Sequence, residues 1–338
     1  MTGIADRKDQ HLDVVLSGRG QGPAATGLDA VRFRHVALPE IALGDVDLST
    51  TFLGRRLGAP LLVSAMTGGP ARACAINRAL AAACGRLRLP LAVGSQRVAL
   101  EGGGDGGLGR DLRRALGDVP LLANLGAAQL NLGYGLAEAR RAVDMIEADA
   151  LVLHLNPLQE AVQEGGDGDW RGLLGRIGSL ARALPVPLVA KEVGAGLSGP
   201  VARRLVDAGV AVLDVAGAGG TSWALVEAER ARSPRAAAVA RAFAGWGIPT
   251  AQAIAEVRRA CPGAVVIGSG GIRDGLDAAR ALRLGADLAG QAAGVLAAAA
   301  EGEEAVTEAL EVAIAQLRVA CFCTGSPDLA ALKAAELL

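Results

Sequence analysis

Four short apolar runs begin 30 residues apart: LLVSAM from Leu61, LAVGS from Leu91, LLANLG from Leu121 and LVLHLN from Leu151. Pro60, Pro90 and Pro120 stand immediately before the first three. This spacing constrains the fold more than any other feature of the chain. Pro has no N–H to donate and disfavours helix in the residue before it. It therefore closes a helix and is tolerated where a strand begins. Between the runs lie stretches with helical spacing, INRALAAACGRLR and LAEARRAVDMIEA among them. Their paired arginines, Arg113 with Arg114 and Arg140 with Arg141, read as solvated helix faces. A strand plus a helix in about 30 residues is one βαβ step. The runs do not alternate with polar residues, as expected of strands in a parallel sheet covered on both faces.

The pattern continues with PLVAKEV at 187–193, VAVLDVAG at 210–217, VVIGSGG at 265–271 and ADLAGQA at 286–292. Eight strands predict a (β/α)8 TIM barrel better than an open sheet. The long interval between strands six and seven predicts an insertion at 218–262 with a helix of its own. Residues 1–59 are expected to form an N-terminal arm and lead-in segment, 60–302 the barrel, and 303–338 C-terminal helices packing on it. The few aromatics, 2% of the chain, leave the core to Ala, Val, Leu and Ile.

Charge and cysteine content exclude several functions. Lys plus Arg is 34 and Asp plus Glu is 35, so the chain lacks the basic excess of a nucleic-acid protein. The cysteines at 74, 84, 261, 321 and 323 match no disulfide or zinc framework. They read as plain thiols of a reducing compartment. The start, MTGIADRKDQHL, lacks the apolar run of a signal peptide, and no apolar stretch reaches the ~20 residues of a membrane span. A cytoplasmic protein without a membrane partner is the expectation.

Polar residues recur where the strands end. Met66-Thr67-Gly68-Gly69 follows the first and Ser95-Gln96-Arg97 the second. Asn124 lies in the third, and His154, Asn156, Gln159 and Glu160 at the fourth. Lys191-Glu192 ends the fifth, and Asp214 with Gly217 to Thr221 the sixth. In a barrel these positions face one mouth, where the site lies. The seventh strand runs into Gly268-Ser269-Gly270-Gly271-Ile272-Arg273-Asp274-Gly275, with a helix expected to reach Leu284 and stop at Gly285. The eighth ends in Gly290-Gln291-Ala292-Ala293. Small residues in those two loops, with a helix N-terminus beside them, suit a phosphate. Lys191 sits in an otherwise apolar strand and needs an anionic partner. It suits either a Schiff base or a cation beside an electron-rich ring. Glu160 is either a Mg²⁺ ligand for a diphosphate or an ordinary acid at a helix N-terminus. Arg7, Lys8 and His11 could close over an anion, although such a cluster alone is more often a solvated terminus.

Taken together these residues resemble the FMN-dependent, type 2 isopentenyl-diphosphate delta-isomerases nearly end to end. The resemblance is carried by RKDQHL at 7–12, HVALPE at 35–40, DVDLSTTFLG at 45–54, SAMTGG at 64–69 and GSQRVAL at 94–100. It continues in NPLQE at 156–160, AKEVGAG at 190–196, DVAGAGGTSW at 214–223, SGGIRDGLDAARALRLGAD at 269–287 and CTGS at 323–326. It implies conversion of isopentenyl diphosphate to dimethylallyl diphosphate in isoprenoid biosynthesis. Reduced FMN would donate and accept protons, Mg²⁺ would hold the diphosphate, and NADPH would serve only to reduce FMN. The implied FMN contacts are Ala65, Met66, Thr67, Ser95, Asn124, Lys191 and Thr221, with its phosphate at Gly271, Ile272, Arg273, Ala292 and Ala293. The implied substrate residues are Arg7, Lys8, His11, Ser95, Gln96, Arg97 and Gln159, the metal ligand is Glu160, and Lys191, His154 and Gln159 are the implied catalytic residues. A homo-oligomer, tetrameric or larger, is also implied. The chain departs from the family at Ala216, where Ser is frequent. An FMN oxidoreductase of the 2-hydroxyacid type is a rival, disfavoured because no His follows His154. A non-catalytic flavin-binding protein is a second, disfavoured by the arm, Gln159 and Glu160.

Overall fold

A hairpin of β1 (Thr50–Phe52) and β2 (Arg55–Leu57) precedes eight parallel strands that close into a barrel. The strands are β3 (Leu61–Val63), β4 (Leu91–Ala92), β5 (Leu121–Gly126), β6 (Ala150–Leu155), β7 (Leu188–Glu192), β8 (Val212–Asp214), β9 (Val265–Ser269) and β10 (Leu288–Gln291). The computed structural model describes residues 4–65, 71–102 and 107–338, with side chains from residue 8 in the first segment and from residue 72 in the second. Each strand pairs with the next in sequence, and β10 closes the barrel on β3. All eight expected strands are present.

The prolines start strands as their chemistry requires. Pro60, Pro90, Pro120 and Pro187 each offer a carbonyl to the neighbouring strand: Ala289, Val63, Leu91 and Leu151 N–H donate to them at 2.8–3.1 Å. The missing N–H of Pro therefore leaves no gap in the ladder. Side chains along β3, β4 and β5 are buried throughout, the consequence of helices covering the outer face.

At the end of the barrel opposite the mouth, two staples repeat four strands apart. The Arg113 guanidinium donates to the carbonyls of Gly117, Val119 and Glu147 and to Asp149, whose Oδ2 also accepts the Leu121 N–H. The Arg258 guanidinium donates to the carbonyls of Pro262, Ala264 and Gly285 and to Asp287, whose Oδ2 accepts the Val266 N–H. Each joins a helix, the strand beside it and the acid just before the following strand. Arg113 is thus not on a solvated face, and its side chain is only 17% exposed. An isolated helix pattern does not reveal that a cation reaches around the strand end.

The lead-in segment belongs to the core. Leu28, Leu48, Phe52 and Leu57 are buried, and short bridges join Phe33 to Leu337 and Asp47 to Asp328. The interval between β8 and β9 holds two helices, Trp223–Arg230 and Pro234–Arg241, before the helix Thr250–Ala260. Ser222 and Ser233 cap the first two by accepting the N–H three residues on. The helix after β9 ends at Arg283, one residue short of the expectation, with Gly285 at φ 114° beyond it. The long helix Glu303–Cys323 lies so close to the helix after β9 that a Cβ on Gly275 would fall 2.0 Å from the Ala313 carbonyl. The five cysteines are free thiols. Among the described residues no helix is long and apolar enough to cross a membrane.

Candidate active site

The C-terminal ends of the barrel strands surround a cavity of about 610 Å³. The loops after β8 and β9 line one part of it and the N-terminal arm another.

At one end the loops after β8 and β9 touch backbone to backbone. A Cβ on Gly270 would lie 2.2 Å from the Gly217 carbonyl, and one on Gly271 would lie 2.6 Å from the Gly219 carbonyl. Gly270 and Gly271 also take φ of 104° and 69°, where a side chain is strained. The N-terminus of the helix Ala293–Glu301 opens onto this end with no side-chain cap. Its uncapped N–H groups and the neighbouring loop suit a phosphate. Ile272, Ala292 and Ala293 line the cavity here. So does Arg273, but its guanidinium is held by Asp277 and Asp29, at 2.8 and 2.9 Å. What Arg273 leaves for this end is its backbone, because its charge is engaged.

In the middle, Lys191 of β7 is 8% exposed and lines the cavity. Its Nζ donates to the Glu192 carbonyl at 2.7 Å, and no ion pair joins it to a carboxylate among the described residues. His154 of β6 is its neighbour in register. The amide of Asn124 donates to the Val93 carbonyl, so its Oδ1 faces His154 Nδ1 at 2.8 Å. That oxygen only accepts, so Nδ1 carries the proton and Nε2 is an acceptor. Burial, reinforced by the Lys191 and Lys8 charges, pushes the imidazole down to about 3 from 6.5. His154 is therefore neutral at physiological pH. The unfolded chain takes up this proton below pH 6.5 while the folded chain resists it until about pH 3, so stability is lost as pH falls through that window. The wild type should lose about 2 kcal/mol more than His154→Gln between neutral pH and about pH 4.5. Urea titrations of both proteins at the two pH values check this, and equal losses would assign the acid sensitivity elsewhere.

The other end is closed by the helix Ile4–Leu16 of the arm. Lys8 Nζ donates to the Ser95 carbonyl at 2.9 Å, and Leu12 and Val14 are buried. His11 Nε2 lies 3.0 Å from Glu227 Oε1 and its ring meets Trp223 edge to face. Gln159 donates to the same Glu227 oxygen at 3.0 Å, and Arg230 to the other at 2.6 Å. Asn156 donates to both Gln159 and Glu160, and Glu160 Oε2 accepts the Asp167 N–H. Arg97 is steadied by Glu101, which also accepts the Tyr134 hydroxyl.

Ala65, Ser95, Asn124, His154, Gln159, Glu160, Lys191 and Thr221 all line this one cavity, together with Lys8, His11 and Arg97. Gln96 does not. It is fully buried, its Oε1 accepts the Asn124 N–H, and its Nε2 donates to the Ala142 carbonyl. The tripeptide Ser95-Gln96-Arg97 turns, so its middle side chain points into the wall; Gln96 as a substrate residue is corrected on that ground. Met66, Thr67 and the side chain of Arg7 lie outside the described residues. Glu227, Gln21 and Gln129 line or brace the cavity and were not anticipated. Glu227 carried a faint signal as an acid four residues beyond Trp223, in the segment expected to be an insertion with a helix of its own.

The FMN-dependent dehydrogenase family matches residues 156–338. The isopentenyl-diphosphate delta-isomerase of Stutzerimonas stutzeri (strain A1501) is 63% identical over 336 residues, covering 99% of this chain and 97% of the relative. That of Xanthobacter autotrophicus is 61% identical over 337 residues, covering 99% and 98%. A crystal structure of mandelate oxidase with (S)-2-phenylpropionate superposes with a TM-score of 0.67 at 20% identity, covering 100% of this chain and 99% of that one. At that identity the likeness concerns the fold alone.

Proposed function

The chain belongs to the FMN-dependent, type 2 isopentenyl-diphosphate delta-isomerases, and from that premise we propose that its barrel mouth converts isopentenyl diphosphate into dimethylallyl diphosphate beside a bound FMN. The observation that carries this reading is one cavity lined by glycine loops and a helix N-terminus in one part, by Lys8 and His11 of the arm in another, and by Lys191, a lining that suits two anionic groups.

The residues fit FMN. The buried Ser64 hydroxyl lines the cavity without a partner, and Lys191 turns a singly bonded ammonium toward it. Both suit a flat polar ring. Its phosphate would meet Gly271, Ile272, the backbone of Arg273, Ala292 and Ala293; its ring would meet Ala65, Met66, Thr67, Ser95, Asn124, Lys191 and Thr221. When bound and reduced, FMN supplies the proton donor and acceptor that an unactivated alkene requires. The protein's own part is positional. Arg7, Lys8, Arg97, Ser95 and Gln159 hold the diphosphate, and His11 locks the arm over it. Leu12, Val15, Trp223 and Leu296 give the five-carbon chain an apolar, water-poor wall. Neutral His154 offers an acceptor beside Lys191. Glu160 fits Mg²⁺ as a single carboxylate; no group of three or more His, Cys, Asp and Glu suits a metal among the described residues. The ion would complete its shell with diphosphate oxygens and water. NADPH would serve only to reduce FMN, because the isomerisation is redox-neutral.

The deciding assay supplies isopentenyl diphosphate, Mg²⁺, FMN and NADPH under anaerobic conditions and seeks dimethylallyl diphosphate. No product would sink the reading. Glu160→Gln should lose Mg²⁺ dependence and at least about 90% of turnover, by removal of one charge-assisted metal bond. A Mg²⁺ titration like that of the wild type would place the metal elsewhere. The likeness to mandelate oxidase does not favour oxidation of a 2-hydroxy acid. That chemistry needs a His base paired with a carboxylate beside the flavin ring; His154, the neighbour of Lys191, is paired with an amide, and the His11–Glu227 pair belongs to the arm end.

A further inference from the structure

Asp214 ends β8 beside Lys191 of β7 in the barrel register and is 2% exposed. Its carboxylate is held by other partners. Oδ1 accepts the Ser269 hydroxyl at 2.5 Å; burial pushes the carboxyl up, and the Lys191 charge, the Ser269 bond and the nearby Ala216 N–H work against that rise. Both donors belong to the cavity wall, and Ala216 is held at φ 36°, a conformation uncommon for a residue with a Cβ. Lys191 bonds only the Glu192 carbonyl among the described residues. An acid and a base thus lie side by side, buried, without joining. Opposite charges in a low-dielectric interior attract strongly, so something must hold them apart. Ser269 and Ala216 do so by fixing the carboxylate on β8, and the ammonium is left facing the cavity.

We propose that Asp214 is a positioning residue for the cofactor: tethered by Ser269 and Ala216, it is a fixed counter-charge that offsets the Lys191 ammonium toward the flavin while leaving that ammonium's N–H groups to the ring. The inference rests on Lys191 being the flavin's neighbour. It follows that two opposite charges together set how strongly the pocket prefers reduced, more electron-rich FMN over oxidised FMN. A pocket carrying Lys191 alone would hold the reduced ring as its anion too firmly for it to give up and regain protons with equal ease.

The test is the ratio of affinities for reduced and oxidised FMN, read from anaerobic dye-linked reduction of the purified flavoproteins, with circular dichroism and thermal melts as folding controls. Lys191→Gln should lower the preference for reduced FMN. Asp214→Asn, which removes the offsetting charge with little change of shape, should raise it by at least about tenfold, the effect a unit charge still exerts about 12 Å away at an effective dielectric of about 20. Ser269→Ala keeps the charge but frees it to reach Lys191, and should lower both the preference and the FMN affinity. A merely structural Asp214 would leave the ratio alone. Asp214→Asn with the wild-type ratio, or shifted in the same direction as Lys191→Gln, overturns the proposal. Should Asp214→Asn not fold, wild-type values in Ser269→Ala overturn it. If Lys191→Gln changes neither ratio nor affinity, the flavin reading of Lys191 fails and takes this inference with it. A Lys191→Gln effect with a silent Asp214→Asn removes Asp214 alone.

Discussion

Lys191→Gln is expected to lower kcat by about 10²–10³-fold and to weaken FMN binding by at least about tenfold, the scale of losing one preorganised charge in a water-poor site. The argument starts from the strand. LVAKE of β7 is buried from end to end, so an ammonium there bears a large desolvation cost. One bond to the Glu192 carbonyl does not offset it. The remaining N–H groups face the cavity, beside neutral His154, where a ring gaining electron density would complete the set. Gln keeps the length and one donor but not the charge, so it separates electrostatics from packing. Lys191→Arg should not rescue, because a planar fork cannot take the place of a compact ammonium in a closed wall. Steady-state rates at saturating FMN, with binding measured separately by quenching of flavin fluorescence, check both parts. Turnover within about threefold of the wild type would leave Lys191 a buried structural cation.

The barrel was legible because its punctuation is local. Pro60, Pro90 and Pro120 mark strand starts by the bond they cannot make, and the structure uses their carbonyls at those points. The glycine loops after β8 and β9 were legible for a similar reason, since close backbone approach demands residues without a Cβ. The features that were not read depend on contacts across long stretches of chain. Arg113 looks solvated on its helix until the strand end and Asp149 are folded around it. The lead-in segment shows no strand period, and it is tied to the distant C-terminal segment by bridges from Phe33 to Leu337 and from Asp47 to Asp328. Gln96 shows the opposite failure. Its motif identifies a loop correctly, but successive residues of a turning backbone point to different sides, and only Ser95 and Arg97 reach the cavity.

Glu227 is the clearest residue of that long-range kind, and Glu227→Gln should lower kcat/KM for isopentenyl diphosphate by about 10²-fold while leaving FMN affinity within about twofold, the loss corresponding to one truncated buried charge pair. Its side chain is 3% exposed and joins three parts of the chain: His11 of the arm, Gln159 after β6 and Arg230 of its own helix. Burial works to raise its carboxyl, but the His11 and Gln159 bonds and the Arg230 charge outweigh it and hold the group below its ordinary value. A depressed carboxyl stabilises the fold above its unfolded pKa and loses that contribution as pH falls through the folded value. Glu227 therefore stays ionised through the neutral range, and its hold on the arm should weaken only in acid. The amide of Gln would set an NH₂ group against the donors of Arg230, and the arm and Gln159 would lose a shared anchor. Removing one partner of a buried pair also costs about 3–5 kcal/mol of stability, so the kinetics must be taken well below the melting temperature. The effect should fall on the diphosphate end, because no bond of Glu227 reaches Lys191 or the glycine loops among the described residues. His11→Gln, which breaks one of the three links, should reproduce a smaller part of the loss. If Glu227→Gln kept its kcat/KM but bound FMN poorly, the two ends of the cavity would not be separate devices, and the arm would owe its position to its other contacts, the Lys8 bond to the Ser95 carbonyl and the buried Leu12 and Val14 among them.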